Sequence, residues 1–298
     1  MSLQIATAPV SWGIMEVEGW ARWKSYREVL DEMVQAGYTG TELGPYGFLP
    51  TESNELKREL EKRSLCLLGA FVPLPLGHDD RHGEGLRAAL DVGRLLSAAG
   101  AQYLVLADEL NPSRMAMAGS ATDSDGFRPP QWEKAACLLT SIASAARELG
   151  LRSVFHHHCG TFVETPSEVA RLLEITDPTL LGICLDTGHY VYGGGDPGEF
   201  SRMHGNRIWH LHLKDIHPTV LDEVRREKIP YLDAIRRGIF CELGVGCVDF
   251  PTVIGQLQNA GFDGWAVFEQ DVDPTLPGMN PMASAVRSRA YLRRVAGI

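Results

Sequence analysis

The chain has 298 residues, 44% of them hydrophobic and 22% charged, an ordinary globular balance with apolar material for a large core. Its formal net charge of -10 argues against the broad basic footprint of a nucleic-acid binder and against a polybasic contact with anionic lipid. No apolar stretch approaches the roughly 20 residues that span a bilayer, and Met1 to Pro9 lacks the basic start of a signal peptide, so a cytoplasmic protein is expected.

In chain order, short apolar runs alternate with longer amphipathic ones. Ile5–Ala8 reads as a strand. Tyr26–Ala36 reads as a helix, with Val29, Leu30, Met33 and Val34 at helical spacing and Gly37 closing it. Thr39–Leu43 is a second strand, and Thr51 precedes a helix that runs through Arg63. Leu65–Val72 is a third strand, Leu86–Ala99 a helix, and Gln102–Ala107 a fourth strand. A polar stretch at about 108–130 follows; a connection this long in a compact fold marks an active-site loop or lid. Helix Gln131–Leu149, strand Arg152–His157 and helix Pro166–Ile175 come next, the last behind Thr165 as N-cap. Leu180–Leu185 and Arg207–Leu213 are the sixth and seventh strands, with a short helix Pro197–Met203 between them. A second long insertion, at about 215–248, holds a helix near Leu221–Arg226. Helix Phe250–Ala260, strand Trp265–Phe268 and helix Pro281–Val295 complete the chain. Strands alternating with helices imply a parallel sheet, and eight of them favour a single (β/α)8 barrel spanning 1–298. A doubly wound sheet would need a Gly-rich phosphate loop after an early strand, and neither GxGxxG nor GxxxxGK[ST] follows one. The six cysteines (66, 137, 159, 184, 241, 247) show no CxxC spacing and read as reduced, mostly buried thiols.

In such a barrel the active site lies where strands end, and the unusual polar residues sit there. The seventh strand ends Trp209-His210-Leu211-His212-Leu213-Lys214-Asp215. Side chains alternate along a strand, so His210, His212 and Lys214 share one face, and Trp209, Leu211 and Leu213 the other. The apolar set suits packing on outer helices, which turns the polar set to the barrel axis. Ionisable groups in a closed core are costly unless they pair or bind something; a hydrogen-bonded core network is the alternative. The sixth strand ends Asp186-Thr187-Gly188-His189, an Asp at a strand tip followed by a tight turn and a His, for which simple capping of the next element is the alternative. The eighth ends in Glu269. In the fifth, Val154-Phe155-His156-His157-His158-Cys159-Gly160-Thr161, alternation places His156 and His158 on one face and His157 on the other. A His/Asp/Glu set without cysteine ligands suits Mn, Co, Fe or Zn. Trp12 and Glu42, after the first and second strands, are placed to line a sugar-sized pocket. Glu109 is a weaker candidate, and Arg114 and Arg128 read as residues of a solvated loop.

These residues together resemble the xylose isomerase-like barrel superfamily, and within it most the inosose dehydratase branch. The likeness runs across nearly the whole chain, through Ala8-Pro9-Val10-Ser11-Trp12-Gly13, Gly40-Thr41-Glu42-Leu43-Gly44, the triple-His segment to Thr161, Asp186-Thr187-Gly188-His189, His210 to Asp215, and Trp265 to Glu269. At Phe240 to Gly246 the run Glu242-Leu243-Gly244-Val245-Gly246 looks closer to general sugar isomerases. The resemblance implies a divalent metal (Mn, Co, Zn, Fe or Mg) held by Asp186, His212 and Glu269. His156 stands where the superfamily has a fourth, carboxylate ligand. That exchange disfavours two-carboxylate epimerisation and favours a carbon–oxygen lyase acting on a cyclic keto-polyol such as 2-keto-myo-inositol, with a sugar isomerase or epimerase as the alternative. Glu269, His156, His158 and Lys214 are the implied catalytic groups, and Trp12, Glu42, His189, His210 and Glu242 the substrate contacts. The implied partner is a small sugar or keto-inositol, with no nucleic acid or membrane; a homo-oligomer is compatible with the sequence.

Overall fold

The computed structural model describes residues 3–15, 17 and 24–297. Met1 and Ser2, the start of the segment expected to lack a leader, lie outside them. Parallel strands form one ring. Gln4–Thr7 pairs with Gly40–Thr41 on one side and Trp265–Phe268 on the other. Tyr103–Asp108, Arg152–His156, Leu181–Asp186 and Ile208–Leu213 follow in order around the ring. The third barrel strand is in two pieces, Cys66–Leu67 and Gly69–Leu74. Leu68 between them closes the ring: its amide donates to the Thr41 carbonyl at 3.0 Å, and its carbonyl accepts from Gln102 and Tyr103 at 3.0 and 2.9 Å. This is the expected (β/α)8 barrel.

Local sequence explains the helix starts. Ser25 and Glu28 form a reciprocal capping box ahead of Tyr26–Gln35, and Thr165 with Glu168 does the same for Pro166–Ile175. Asp186 caps a short helix, Thr187–Tyr192, where the sequence suggested only a tight turn. Glu52 caps Ser53–Glu61, accepting from the amides of Asn54 and Glu55.

The main apolar cluster lies between strands and helices and includes Leu104, Phe155, Leu185, Leu211 and Phe268. Inside the ring, Ala6, Leu68 and Val267 form one small cluster, and Tyr103, Val105, Val154 and Cys184 another. Trp209 packs on the second of these, against expectation. The register shifts between Ile183 and Cys184, which face Ile208 and His210, so Trp209 is an extra residue in a bulge. It lies over Gly182, where a Cβ would come within 2.2 Å of the indole, with Arg152 stacked on it at 4.5 Å. The floor of the barrel is thereby filled and its rim is left for polar side chains.

The 215–248 insertion has its own architecture. Asp215–Ile216 and Phe240–Cys241 pair antiparallel, enclosing helices Pro218–Glu227 and Tyr231–Arg236. Leu221, Val224, Ile229, Ile235 and Phe240 form a separate core with Tyr192. Asp215 anchors its return: the carboxylate accepts from the amides of Ile216, Gly244, Gly246 and Val248 at 2.8–3.0 Å. Of the cysteines, 159, 184 and 241 are buried, but 66, 137 and 247 are exposed, and none is in a disulfide.

Candidate active site

At the rim, sheet register sets Asp186 beside His212 and His212 beside Val267, which places Glu269 one turn of the pleat above. His156 comes from the neighbouring strand. One potential ligand atom from each of His156, Asp186, His212 and Glu269 lies within 4.8 Å of the others, and all four residues are buried. His156 Nε2 is 3.4 Å from Asp186 Oδ2, and His212 Nδ1 is 3.9 Å from the same oxygen and 3.1 Å from Glu269 Oε2. These contacts are close but misdirected: Asp186 Oδ2 and His212 Nδ1 make no hydrogen bond. Buried polar atoms are rarely left so. These two lie within 4.8 Å of each other and of the other two donor atoms, as the ligands of a cation do.

The other oxygen of Asp186 accepts from the His189 amide at 2.8 Å, so capping and convergence are combined in one carboxylate. Behind the cluster, Glu42 Oε1 meets His212 Nε2 at 3.1 Å and His210 Nε2 at 2.7 Å. A carboxylate only accepts, so Nε2 of His212 carries hydrogen, which leaves Nδ1 as the nitrogen that would give up its proton to a metal. This is the carboxylate–histidine arrangement that orients metal ligands. Burial alone would raise the Glu42 carboxyl, but His212 and His210 hold it well below the usual range. Burial lowers His156 to about 4, which keeps it neutral and able to ligate. Burial also opposes charge on His212, yet Cys184, Glu269 and Glu42 hold it well above its ordinary value. The negative charge of Glu269 and Glu42 would favour any cation placed here. The residues present therefore fit a divalent metal with two nitrogen and two oxygen donors.

Lys214 lies beside this set. Its Nζ is 3.2 Å from both Asp186 Oδ2 and Glu269 Oε2, and 2.7 Å from Asp271 Oδ1. Burial opposes its charge, but Asp186, Asp271 and Glu269 hold the ammonium well above its ordinary value. Tyr231 donates to Asp271 Oδ2 at 2.9 Å, and the Phe240 ring covers the ammonium at 5.1 Å. A cavity of about 330 Å³ opens above, with Glu42, His156, His158, Lys214, Glu269 and Asp271 among its polar lining and Val10, Ile14, Phe71 and Leu110 on its apolar side.

Other expected residues fall in different places. His189 lies behind the cavity wall, with the Cys159 amide 3.3 Å from Nδ1 and Lys214 Nζ 3.1 Å from Nε2; a neutral imidazole accepts at only one of these nitrogens. His210 is stacked on Tyr103 below Glu42. Trp12 is a core residue, fully buried, whose indole N–H donates to Glu32 at 2.7 Å. Glu242 is drawn away from the cavity by Arg287, with Nε 2.5 Å from Oε2, and by Ser284 at 3.0 Å. Arg114 is wholly buried, donating to the Thr161 carbonyl and to Glu168 at 2.8 and 2.9 Å; it ties the 109–128 connection to the 158–168 segment and is not solvated. Three polar cavity residues are absent from the sequence-based candidates. Asp271 had a signal, since it follows Glu269 at the strand period of two. Asp108 ends the fourth strand as Asp186 ends the sixth. Tyr231 had none, because the insertion's fold places it.

The family model for the xylose isomerase-like TIM barrel matches residues 30–295. An inosose dehydratase of Lacticaseibacillus casei is 32% identical over 294 residues, 98% of this chain and 97% of that one. The rhizopine catabolism protein MocC of Rhizobium meliloti is 35% identical over 296 residues, 99% of this chain and 89% of that one. Among solved structures, the IOLI protein with a bound zinc atom superposes with a TM-score of 0.73 at 14% identity, over 99% of this chain and 98% of that one. The chain belongs to the xylose isomerase-like TIM barrel family.

Proposed function

We propose that the chain is a sugar-processing enzyme, specifically a metal-dependent dehydratase that removes water from a cyclic keto-polyol such as 2-keto-myo-inositol. The observation that carries this reading is the set of four buried donors gathered at the foot of an open cavity, with Asp186 Oδ2 and His212 Nδ1 left without hydrogen bonds, next to a fixed ammonium. Full-length relatives named inosose dehydratase support the substrate class.

His156, Asp186, His212 and Glu269 would hold Mn, Co, Zn, Fe or Mg; the bound zinc of the IOLI protein supports an ion in this fold. When bound, the ion supplies Lewis acidity toward the substrate's ketone oxygen. The remaining chemistry belongs to the chain's own residues. His158 Nδ1 contacts the Cys159 carbonyl at 2.8 Å. A carbonyl only accepts, so Nδ1 carries hydrogen and Nε2 has the lone pair. His158 takes the proton from the carbon next to the ketone. The C–H electron pair becomes the new double bond, and the neighbouring C–O bond breaks. Lys214 gives its proton to the departing hydroxyl, which leaves as water. Asp271 and Tyr231 hold Lys214, and Glu42 orients His212. The apolar wall at Val10, Ile14 and Phe71 suits the C–H face of a ring.

The test is incubation of metal-supplemented protein with 2-keto-myo-inositol, read by mass spectrometry. Loss of one water, with a diketone absorbance, is the expected result. Solvent deuterium uptake without water loss would replace this reading with the isomerase or epimerase alternative.

A further inference from the structure

A second group of donors lies beside the first. His158, His189 and Asp271 also bring one ligand atom each within 4.8 Å of one another. Asp271 is 2% exposed, and its Oδ1 has no directed hydrogen bond. Three such donors would hold a cation, and one already touches two of them: Lys214 Nζ, 2.7 Å from Asp271 Oδ1 and 3.1 Å from His189 Nε2. The same ammonium touches Asp186 and Glu269 of the first set. A divalent ion and an ammonium at one place would repel strongly at this burial.

We propose that His158, His189 and Asp271 form a second divalent-cation site stoppered by Lys214, so that the chain uses a tethered ammonium where a second metal ion would otherwise sit. The ligand class is a divalent ion that accepts mixed nitrogen and oxygen donors, such as Co or Mn. An ammonium also carries a transferable proton, which a metal ion lacks, and it cannot be lost to a chelator. The proposal rests on the metal reading of the neighbouring set.

The experiment measures cobalt per chain after loading and gel filtration. Wild type should retain one ion, and Lys214→Ala and Lys214→Ser two; adding Asp271→Ala to either should return the count to one. A count of one in both single variants overturns the proposal. A wild-type count of zero would instead sink the reading of the first set, while a gain of one ion on removing Lys214 would still support the second. A variant that keeps Lys214 guards against misfolding. In Asp271→Asn the ammonium loses its closest carboxylate and competes at Asp186 and Glu269. Cobalt should then bind about tenfold more weakly, and unchanged affinity would overturn the proposal as well.

Discussion

The cavity's polar wall comes from two regions built in different ways. The barrel rim supplies His156, Asp186, His212, Lys214 and Glu269, each fixed by sheet register and by the pleat. The 215–248 insertion supplies Tyr231 to the wall and Phe240 over Lys214, from a small module with its own core, returned to the barrel by the four amides gathered on Asp215. The rim sets four donor atoms within 4.8 Å of one another. The insertion supplies a hydroxyl and a ring that hold Lys214 in place. Changes at the rim should therefore abolish chemistry, and changes in the insertion should tune it.

The largest effect is expected from Asp186→Asn. The amide oxygen can still cap Thr187–Tyr192, so the fold should persist while the converging carboxylate charge is lost. Turnover should fall on the order of a thousandfold, about 4 kcal/mol of barrier. Near-normal turnover would leave Asp186 as a helix cap only. Next is Glu42→Gln, which replaces the carboxylate oxygen shared by His210 and His212 with that of an uncharged amide. Metal affinity should drop roughly 10- to 100-fold, measured by calorimetric titration with cobalt, and an unchanged affinity would deny Glu42 its orienting part.

Tyr231→Phe tests the insertion. It removes one hydrogen bond to Asp271 and little volume, so kcat should fall about tenfold with KM and the circular dichroism spectrum nearly unchanged. A drop equal to that of Asp186→Asn would erase the distinction between the regions.

The smallest effect concerns Asp108, at the rim but apart from the four donors. Burial pushes its carboxyl up to about 7, against the amide hydrogen bonds from Phe162 and Leu76. A carboxyl raised on folding binds its proton more tightly in the folded chain. Its stabilising contribution is thus complete below the ordinary carboxylate range and is lost as pH rises through about 7. Urea midpoints of metal-free protein should decline from about pH 5 to about pH 8, and the decline should flatten in Asp108→Asn. Parallel curves for the two proteins would contradict this.

The same division explains what could be read in the sequence. The rim was legible because alternation along a strand projects every second residue to one face; His210, His212 and Lys214 declared themselves in this way. It failed at Trp209, where a bulge adds a residue and turns the indole inward. Asp271 continued the period begun at Glu269, beyond where the apolar strand ends. Tyr231 left no trace, since its position depends on how two helices and a hairpin pack on one another. Trp12 and Glu242 were residue types suited to a sugar pocket, but stronger local partners, Glu32 and Arg287, hold them elsewhere. Arg114 looked solvated because its buried partner Glu168 is 54 residues away in sequence.

The central claim is that the four strand-end residues share one metal ion. Anomalous diffraction from cobalt-loaded crystals tests it directly. The expected result is a single strong peak at about 2.0–2.2 Å from atoms of His156, Asp186, His212 and Glu269. The contradicting result is no peak at that point, with the four side chains hydrogen-bonded among themselves.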